Sequence, residues 1–403
     1  MAARTPSQIL VAGTGPAGLI AALCLAAADF PVTLVGPAAV SPDRRTTALM
    51  NPALQTLERL GILERLAGAT APLRVMRIVD ATQRLVRSPT VTFRASEIGE
   101  DKFGLNMPNS ALVAALSAEV EAQPGIAWHK SLVVAWRLEA DGALATLADG
   151  TQLAAALVVA ADGRLSPARE AAGIATTTRA YPQAALVLNF SHSREHASIS
   201  TEFHTETGPF TQVPLPGNHS SLVWVVKPQT AGELKALGDA DLSVRIEEKM
   251  QSMLGRIRVE TDRQIYPLAA ITPRRFANNR VALVGEAAHV FPPIGAQGLN
   301  LGIRDIVDLI DIACENRSDP GNAGALASYD ARRRPDILAR SSAVNLLNRS
   351  LLSDMLPAQV VRSAGLGVLG ALSPLRALFM REGLHPGSGF AAMTRNLRRQ
   401  SRS

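Results

Sequence analysis

Three short stretches of this sequence carry residue types and spacings that can do chemistry. In the first, Gly13-x-Gly15-x-x-Gly18 follows the apolar run 8–13 and opens the Ala-rich run 19–28. The pattern is a buried strand, a tight turn and a helix. The first glycine permits the turn, the second lets backbone approach a pyrophosphate, and the third lets the helix pack on the strand. Ala17 sits at the opening of that helix, where unpaired N–H groups and a partial positive charge favour phosphate. The spacing points to a dinucleotide without choosing between a flavin and a nicotinamide. The carboxylate expected for the ribose at the end of the second strand is missing. Residues 32–35 run into Gly36, and the nearest acid, Asp43, lies beyond the strand end. A second match, Gly365-x-Gly367-x-x-Gly370, follows no strand, lies in an apolar helical stretch, and is not read as a nucleotide site.

The other two stretches also leave strand ends. Residues 161–169 read ADGRLSPAR, with Asp162-Gly163 just past the buried strand 153–161. Residues 280–305 read RVALVGEAAHVFPPIGAQGLNLGIRD. There a buried strand ends in Gly285-Glu286, a rigid Pro292-Pro293 bend follows, and Gly295, Ala296 and Gly298 precede a helix. An acid at a strand end can hold a sugar-like polyol. Small residues at a helix start allow a flat ring to approach, and the free N–H groups favour negative charge. A reduced flavin is anionic along its pyrimidine edge, so the arrangement suits a flavin.

With these residues in hand, the chain resembles the flavin-dependent aromatic hydroxylases of para-hydroxybenzoate-hydroxylase fold. More narrowly, it resembles their ubiquinone-biosynthesis branch, the polyprenylphenol hydroxylases. The carrying stretches are GTGPAG, ADGRLSPAR and GEAAHVFPPIGAQGLNLGIRD. Supporting ones are DRRTTALMNPALQTLERLGI, NSALVAAL, ETGPFTQVPLPGNHSSLVW and IYPLAAITPRRFANNRVALVG, which stand in family order along almost the whole chain.

The resemblance implies roles. Gly13, Gly15, Ala17 and Gly18 would hold the FAD pyrophosphate. Arg45 and Asn109 would contact the cofactor, and Asp162 would serve both FAD and NAD(P)H. Gly285-Glu286 would bind the ribityl chain. Pro293 and Gly295 would lie at the flavin's reactive edge, and Gly298, Leu299 and Asn300 would face its pyrimidine side through their backbone. The implied reaction is reduction of FAD by NAD(P)H, formation of a C4a-hydroperoxide with O2, and transfer of its distal oxygen to the ring of a lipophilic, polyprenylated phenol. Two departures stand out: Glu286 replaces the family's Asp, and Gly36 replaces its second-strand Glu. An unmade hydrogen bond costs about 0.5–1.5 kcal/mol, so the two together weaken FAD binding about ten- to a hundredfold. Two alternatives stay open: a hydroxylase of a soluble aromatic compound, and a non-catalytic scaffold of a ubiquinone-biosynthesis complex.

To bring the three stretches together, the expected fold is α/β: a Rossmann-like FAD-binding domain with an inserted sheet-rich substrate domain and a helical C-terminal region. The FAD-binding parts are 1–72, 99–180 and 271–345, the substrate parts 73–98 and 181–270, and the C-terminal region 346–403. Within this frame residues 44–66 read as helical. The chain beyond residue 298 reads as helix broken at Pro335, Pro357 and Pro374.

Composition narrows the alternatives. The 403 residues are 47% hydrophobic and 19% charged, as in a globular protein. Only 4% are aromatic, which argues against stacking platforms for nucleic acid. The net charge of +6 includes Arg395, Arg398, Arg399 and Arg402 in the last nine residues. That tail is either a solvated end or a contact for anionic lipid. No run of ~18 apolar residues occurs, so membrane contact would be peripheral. Residues 351–384 rest either on a bilayer surface or on the protein itself. With no signal-peptide pattern and only Cys24 and Cys314, both read as buried thiols, the expected location is cytoplasmic, with peripheral contact at the inner face of the membrane open. His192, His196, His204 and Glu206 fall in strand and turn patterns, so no metal site is expected. His289 reads as structural, and the run Arg332, Arg333, Arg334 as a solvated helix face.

Overall fold

The computed structural model describes residues 8–38, 43–84, 87–260, 262–292, 298–352 and 356–384, with side chains in 340–362 and 383–384 left aside. Its first sheet has six strands in the order Ala277–Asn278, Val281–Leu283, Leu157–Ala160, Ile9–Ala12, Val32–Val35 and Ile126–His129. All are parallel except the first. The sequence explains this. ILVA, VTLV, LVVA and VAL are unbroken apolar runs, and every residue in them is buried. Strands covered on both faces read this way. The helices Pro16–Ala27, Asn109–Ala122 and Gly298–Glu315 pack around the sheet, the first against both others.

Parallel register puts Ala12, Val35, Ala160 and Leu283 at one edge of the sheet. Gly13, Gly36, Asp162 and Gly285 therefore all emerge at the carboxyl ends of the strands, where such sheets bind ligands.

A second sheet of eight strands runs Ile257–Val259, Thr176–His192, His219–Val226, Gly208–Leu215, Ile199–Thr205, Val75–Asp80 and Val91–Arg94, with Gln264–Pro273 also on Thr176–His192. One face packs Leu186, Leu188, Phe190, Phe203, Phe210 and Leu222 under the helices Pro228–Ala236 and Asp239–Lys249. The other faces a small sheet built from Thr46–Met50, Gly104–Pro108 and Ala71–Leu73. Thr46 Oγ1 donates to Ser221 Oγ at 2.8 Å and Asn106 Nδ2 to the Pro214 carbonyl at 2.8 Å across that junction.

Three sequence expectations change, and one that the sequence left open is narrowed. Residues 46–50 form a strand, and the helix starts only at Asn51, with proline in its first turn. Two adjacent threonines favour extended backbone, and Pro52 supplies a natural helix start. Pro335 lies inside the helix Ala323–Leu352 instead of breaking it. Proline forgoes one backbone bond there, but side chains pin the preceding turns: Tyr329 Oη donates to the Leu283 carbonyl at 2.7 Å, and Arg333 is clasped by carboxylates. Arg333 is thus buried, not solvated, unlike Arg332 and Arg334. Finally, the helices Leu356–Ala371 and Ser373–Leu384 pack one side on the protein. Gly367 and Gly370 face Pro89 and Val91, Arg376 Nε donates to Glu97 Oε2 at 2.7 Å, and Met380 is buried beside Ala95 and Phe103. The second glycine motif is therefore a helix face near strand Val91–Arg94. The arginine tail lies outside the described residues.

Candidate active site

The glycine loop is shaped by steric necessity. Gly13 has φ +110°, and a Cβ there would meet the Ala161 carbonyl oxygen at 2.3 Å. A Cβ on Gly18 would meet the Gly13 oxygen at 1.9 Å. Gly15 differs, because a Cβ there would project into open space. It is the N-cap of helix Pro16–Ala27 and has no side-chain cap, and the first turn carries no acid. Free N–H groups therefore face an open, anion-attracting cradle.

Gly36 has a local explanation. Its φ is +153°, and a Cβ would stand 2.8 Å from Thr14 Cγ2. Thr14 Oγ1 meanwhile donates to the Pro37 carbonyl at 2.6 Å. Threonine at 14 and glycine at 36 form a matched pair, and an acid at 36 has no room.

Asp43 gathers the next group of residues. Its Oδ1 accepts from Arg45 N at 3.0 Å and Nε at 2.9 Å, and its Oδ2 from Arg45 Nη2 at 2.8 Å and Asn109 Nδ2 at 2.9 Å. Burial opposes ionisation of Asp43, but these donors outweigh it and hold the carboxyl below its ordinary range. The same hydrogen bonds raise Arg45 above its ordinary value. Its guanidinium lies 5.4 Å from the Tyr266 ring centre and feels the charge of exposed Glu286. Asn109 is buried, and its amide is engaged by Asp43 and by the Thr47 hydroxyl. Asn300 ties strand Thr46–Met50 to the helix at Gly298, accepting from Met50 N at 2.8 Å and donating to the Ala48 carbonyl at 2.7 Å. That leaves its backbone, with those of Gly298 and Leu299, at the helix start. Pro293 and Gly295 lie outside the described residues.

Asp305 holds the third stretch together, and sequence reasoning did not single it out. Fully buried, it accepts from Gly285 N at 3.0 Å and His289 Nε2 at 2.7 Å through Oδ2, and from Arg333 Nε at 2.8 Å through Oδ1. Arg333 also reaches Asp308 at 2.7 Å and Asp336 at 3.3 Å. Burial opposes its charge, but Asp305 leads the carboxylates that raise it above its ordinary value. Gly285 has φ +61°, and a Cβ there would meet Ala17 Cβ at 2.9 Å, so this turn closes onto the first stretch. Arg169 locks the second to the third, donating to the Ala287 carbonyl at 2.8 Å and the Arg164 carbonyl at 2.8 Å. His289 is structural as expected, bonded to Asp305 and stacked on Phe291. Among the described residues no His, Cys, Asp or Glu cluster could hold a metal ion.

These features fit FAD. Asp162 Oδ2 accepts from Ala168 N at 3.0 Å, while Oδ1 is buried with no hydrogen-bond partner among the described residues. Burial raises the Asp162 carboxyl above its ordinary range, against the pull of Ser166 and Ala168. A buried oxygen lacking a donor suits a ligand hydroxyl. The residues that would hold FAD are then Gly15, Ala17 and Gly18 at the pyrophosphate, and Asp162 and Glu286 at hydroxyls, with Asp43 fixing Arg45 beside them. Bound FAD supplies the redox chemistry and the activation of O2. The chain's part would be to orient the ring and shield it from water.

Asp162→Asn separates these effects. A carboxyl raised on folding lowers stability as pH rises from its unfolded to its folded pKa. The apo variant is therefore more stable than wild type at neutral pH, by a margin that vanishes in acid. Its FAD affinity falls at least about tenfold, because a hydrogen bond to a charged group is lost. Urea unfolding at both pH values and FAD titration check this, and unchanged affinity would remove Asp162 from the site.

A family of FAD-binding domains matches residues 6–340. The ubiquinone hydroxylase UbiL of Rhodospirillum rubrum is 32% identical over 388 residues, covering 94% of this chain and 89% of that protein. The 3-demethoxyubiquinol 3-hydroxylase of Escherichia coli is 28% identical, covering 90% and 94%. Among solved structures, p-nitrophenol 4-monooxygenase PnpA from Pseudomonas putida superposes with a TM-score of 0.76 over 96% of this chain and 98% of that one. At 19% identity it speaks to the fold alone. The sheet order, the glycine cradle, the orphaned Asp162 oxygen and these matches agree: this chain belongs to the FAD-binding-domain family, as an FAD-dependent monooxygenase akin to the ubiquinone hydroxylases.

Proposed function

We propose that this enzyme hydroxylates the aromatic ring of a polyprenylated phenol on the route to ubiquinone, with NAD(P)H as reductant and O2 as co-substrate. The observation that carries the reading is the 32% identity to a ubiquinone hydroxylase along nearly the whole length of both chains. The fit of Thr14 to Gly36 supports reading the lost acid as a local exchange rather than as decay toward a scaffold. A strain lacking the gene should accumulate a prenylphenol one ring hydroxyl short, and the wild-type gene should clear it. A strain with normal ubiquinone and no such intermediate would contradict the reading.

A lipophilic substrate fits the outer side of the C-terminal helices. No single helix among the described residues is long and apolar enough to cross a membrane. The segments Ser363–Ala371 and Ser373–Glu382 meet at 104°. Around that bend Val368, Leu372 and Phe379 are 46%, 51% and 57% exposed. The following residues, 385–403, hold four arginines and no Asp or Glu. Exposed apolar side chains followed along the chain by basic residues suit the surface of an anionic bilayer. Wild type should co-sediment with phosphatidylglycerol vesicles and less with phosphatidylcholine. Val368→Ser, Leu372→Ser and Phe379→Ser together should cut binding about tenfold or more, since each buried apolar side chain contributes about 1.5–3 kcal/mol. Equal sedimentation of wild type and triple variant would mean that these side chains do not bind the bilayer.

A further inference from the structure

The eight-stranded sheet has one face that its two helices leave uncovered. Strand register places Gln264, Val187, Val223, Thr211, Glu202 and Ile78 in one row across it. This face is turned to the cofactor side. Ser221, two residues before Val223, meets Thr46, and Tyr266, two residues after Gln264, lies against Arg45. Glu202 is the only charged member of the row. Its Oε1 lies 2.9 Å from His204 Nε2, and Thr211 Oγ1 donates to its Oε2 at 3.4 Å. His204 is 3% exposed and Glu202 18%. Ile78, Thr211 and Val223 are also only half-buried, so the row borders open space. A carboxylate flanked by Ile78 and Thr211, with an imidazole fixing one oxygen and, among the described residues, a single long bond on the other, is placed to receive a proton from a ligand.

On the proposed function, we propose that Glu202 is the general base for ring hydroxylation and that His204 is its positioning residue. As a ring carbon gains its bond to the oxygen atom drawn from O2, the phenolic O–H bond breaks. The proton passes to Glu202, and the O–H electron pair becomes the second bond of a ring ketone. The oxygenated carbon then loses its hydrogen as a proton to water, and Glu202 returns its own proton to the ketone oxygen, which restores an aromatic diphenol. NAD(P)H supplies the two electrons that take the second oxygen atom to water. A neutral phenol needs this base and an ionised one does not.

The test uses the FAD-loaded full chain with two probes, ortho-allylphenol and a nitro-substituted analogue already ionised at the assay pH. Glu202→Gln should form product from the neutral phenol about a hundredfold more slowly. It should keep nearly wild-type turnover of the ionised analogue and wild-type FAD affinity. His204→Gln should show a smaller loss, again on the neutral phenol alone. Glu202→Asp, with the carboxylate one methylene short, serves the same comparison if the glutamine variant does not fold. Equal losses on both probes would make Glu202 a structural residue, and no loss on either would remove it from the reaction. If wild type hydroxylates neither probe, the proposed function itself fails and this assignment falls with it.

Discussion

Replacing Asp305 by alanine lowers the unfolding free energy by about 3–5 kcal/mol, the usual cost of deleting one partner of a buried charge pair. The loss has three parts, each visible in the geometry. Arg333 keeps Asp308 and Asp336 but loses the carboxylate that faces its Nε. Gly285 N and His289 Nε2 lose their acceptor in a site with no access to water. The Gly285 turn, which closes on Ala17, then keeps only the bonds its carbonyl accepts from Ala288 N and His289 N. FAD affinity should fall with it, because Glu286 is the next residue on that turn. Asp305→Asn should lose less than alanine. Asp305→Leu combined with Arg333→Met should recover much of the loss, since no charge is then left buried alone. Equilibrium urea unfolding of the four proteins decides the matter, and an alanine variant within about 1 kcal/mol of wild type would mean that packing alone holds this junction.

The second large effect separates two glycines three residues apart. Gly18→Ala forces a methyl group against the Gly13 carbonyl, where 1.9 Å is available. Helix and strand must part, so stability falls by about 1–3 kcal/mol or more and FAD binding is lost. Gly15→Ala meets nothing within 4 Å, and its φ of −72° suits alanine. Its stability should stay within about 0.5 kcal/mol of wild type, while FAD affinity falls at least tenfold, because the new methyl stands where the phosphates must approach. Thermal unfolding and FAD fluorescence titration on the two variants read both quantities. A Gly15→Ala protein that binds FAD normally would move the pyrophosphate elsewhere.

Much of this site was legible because its parts are local in sequence. Gly13, Gly15 and Gly18 lie within six residues, and the apolar runs before Gly13, Asp162 and Gly285 mark buried strands that end at one sheet edge. The Asp305–Arg333 pair was not legible from spacing, since 28 residues separate it. A signal was nevertheless present. Tyr329, Arg333 and Ile337 recur every four residues, so Arg333 shares a helix face with two fully buried neighbours while Arg332 and Arg334 point elsewhere. The exchange between Thr14 and Gly36 is likewise invisible along the chain, because strand pairing brings the two together. Strand Thr46–Met50 was missed because five residues are too few for alternation to outweigh the helical pattern that follows. Glu202 and His204 gave no functional signal in sequence, because only the register of five other strands shows which face they share.

FAD binding and O2-dependent hydroxylation of a phenol ring are the two properties on which every assignment above depends. The most direct measurement is mass spectrometry of a prenylated phenol after turnover by purified protein with FAD, NAD(P)H and isotopically heavy oxygen gas. A product carrying one heavy oxygen atom on the ring is the predicted result. An unlabelled product, or oxidation of NAD(P)H with the phenol recovered unchanged, would contradict it.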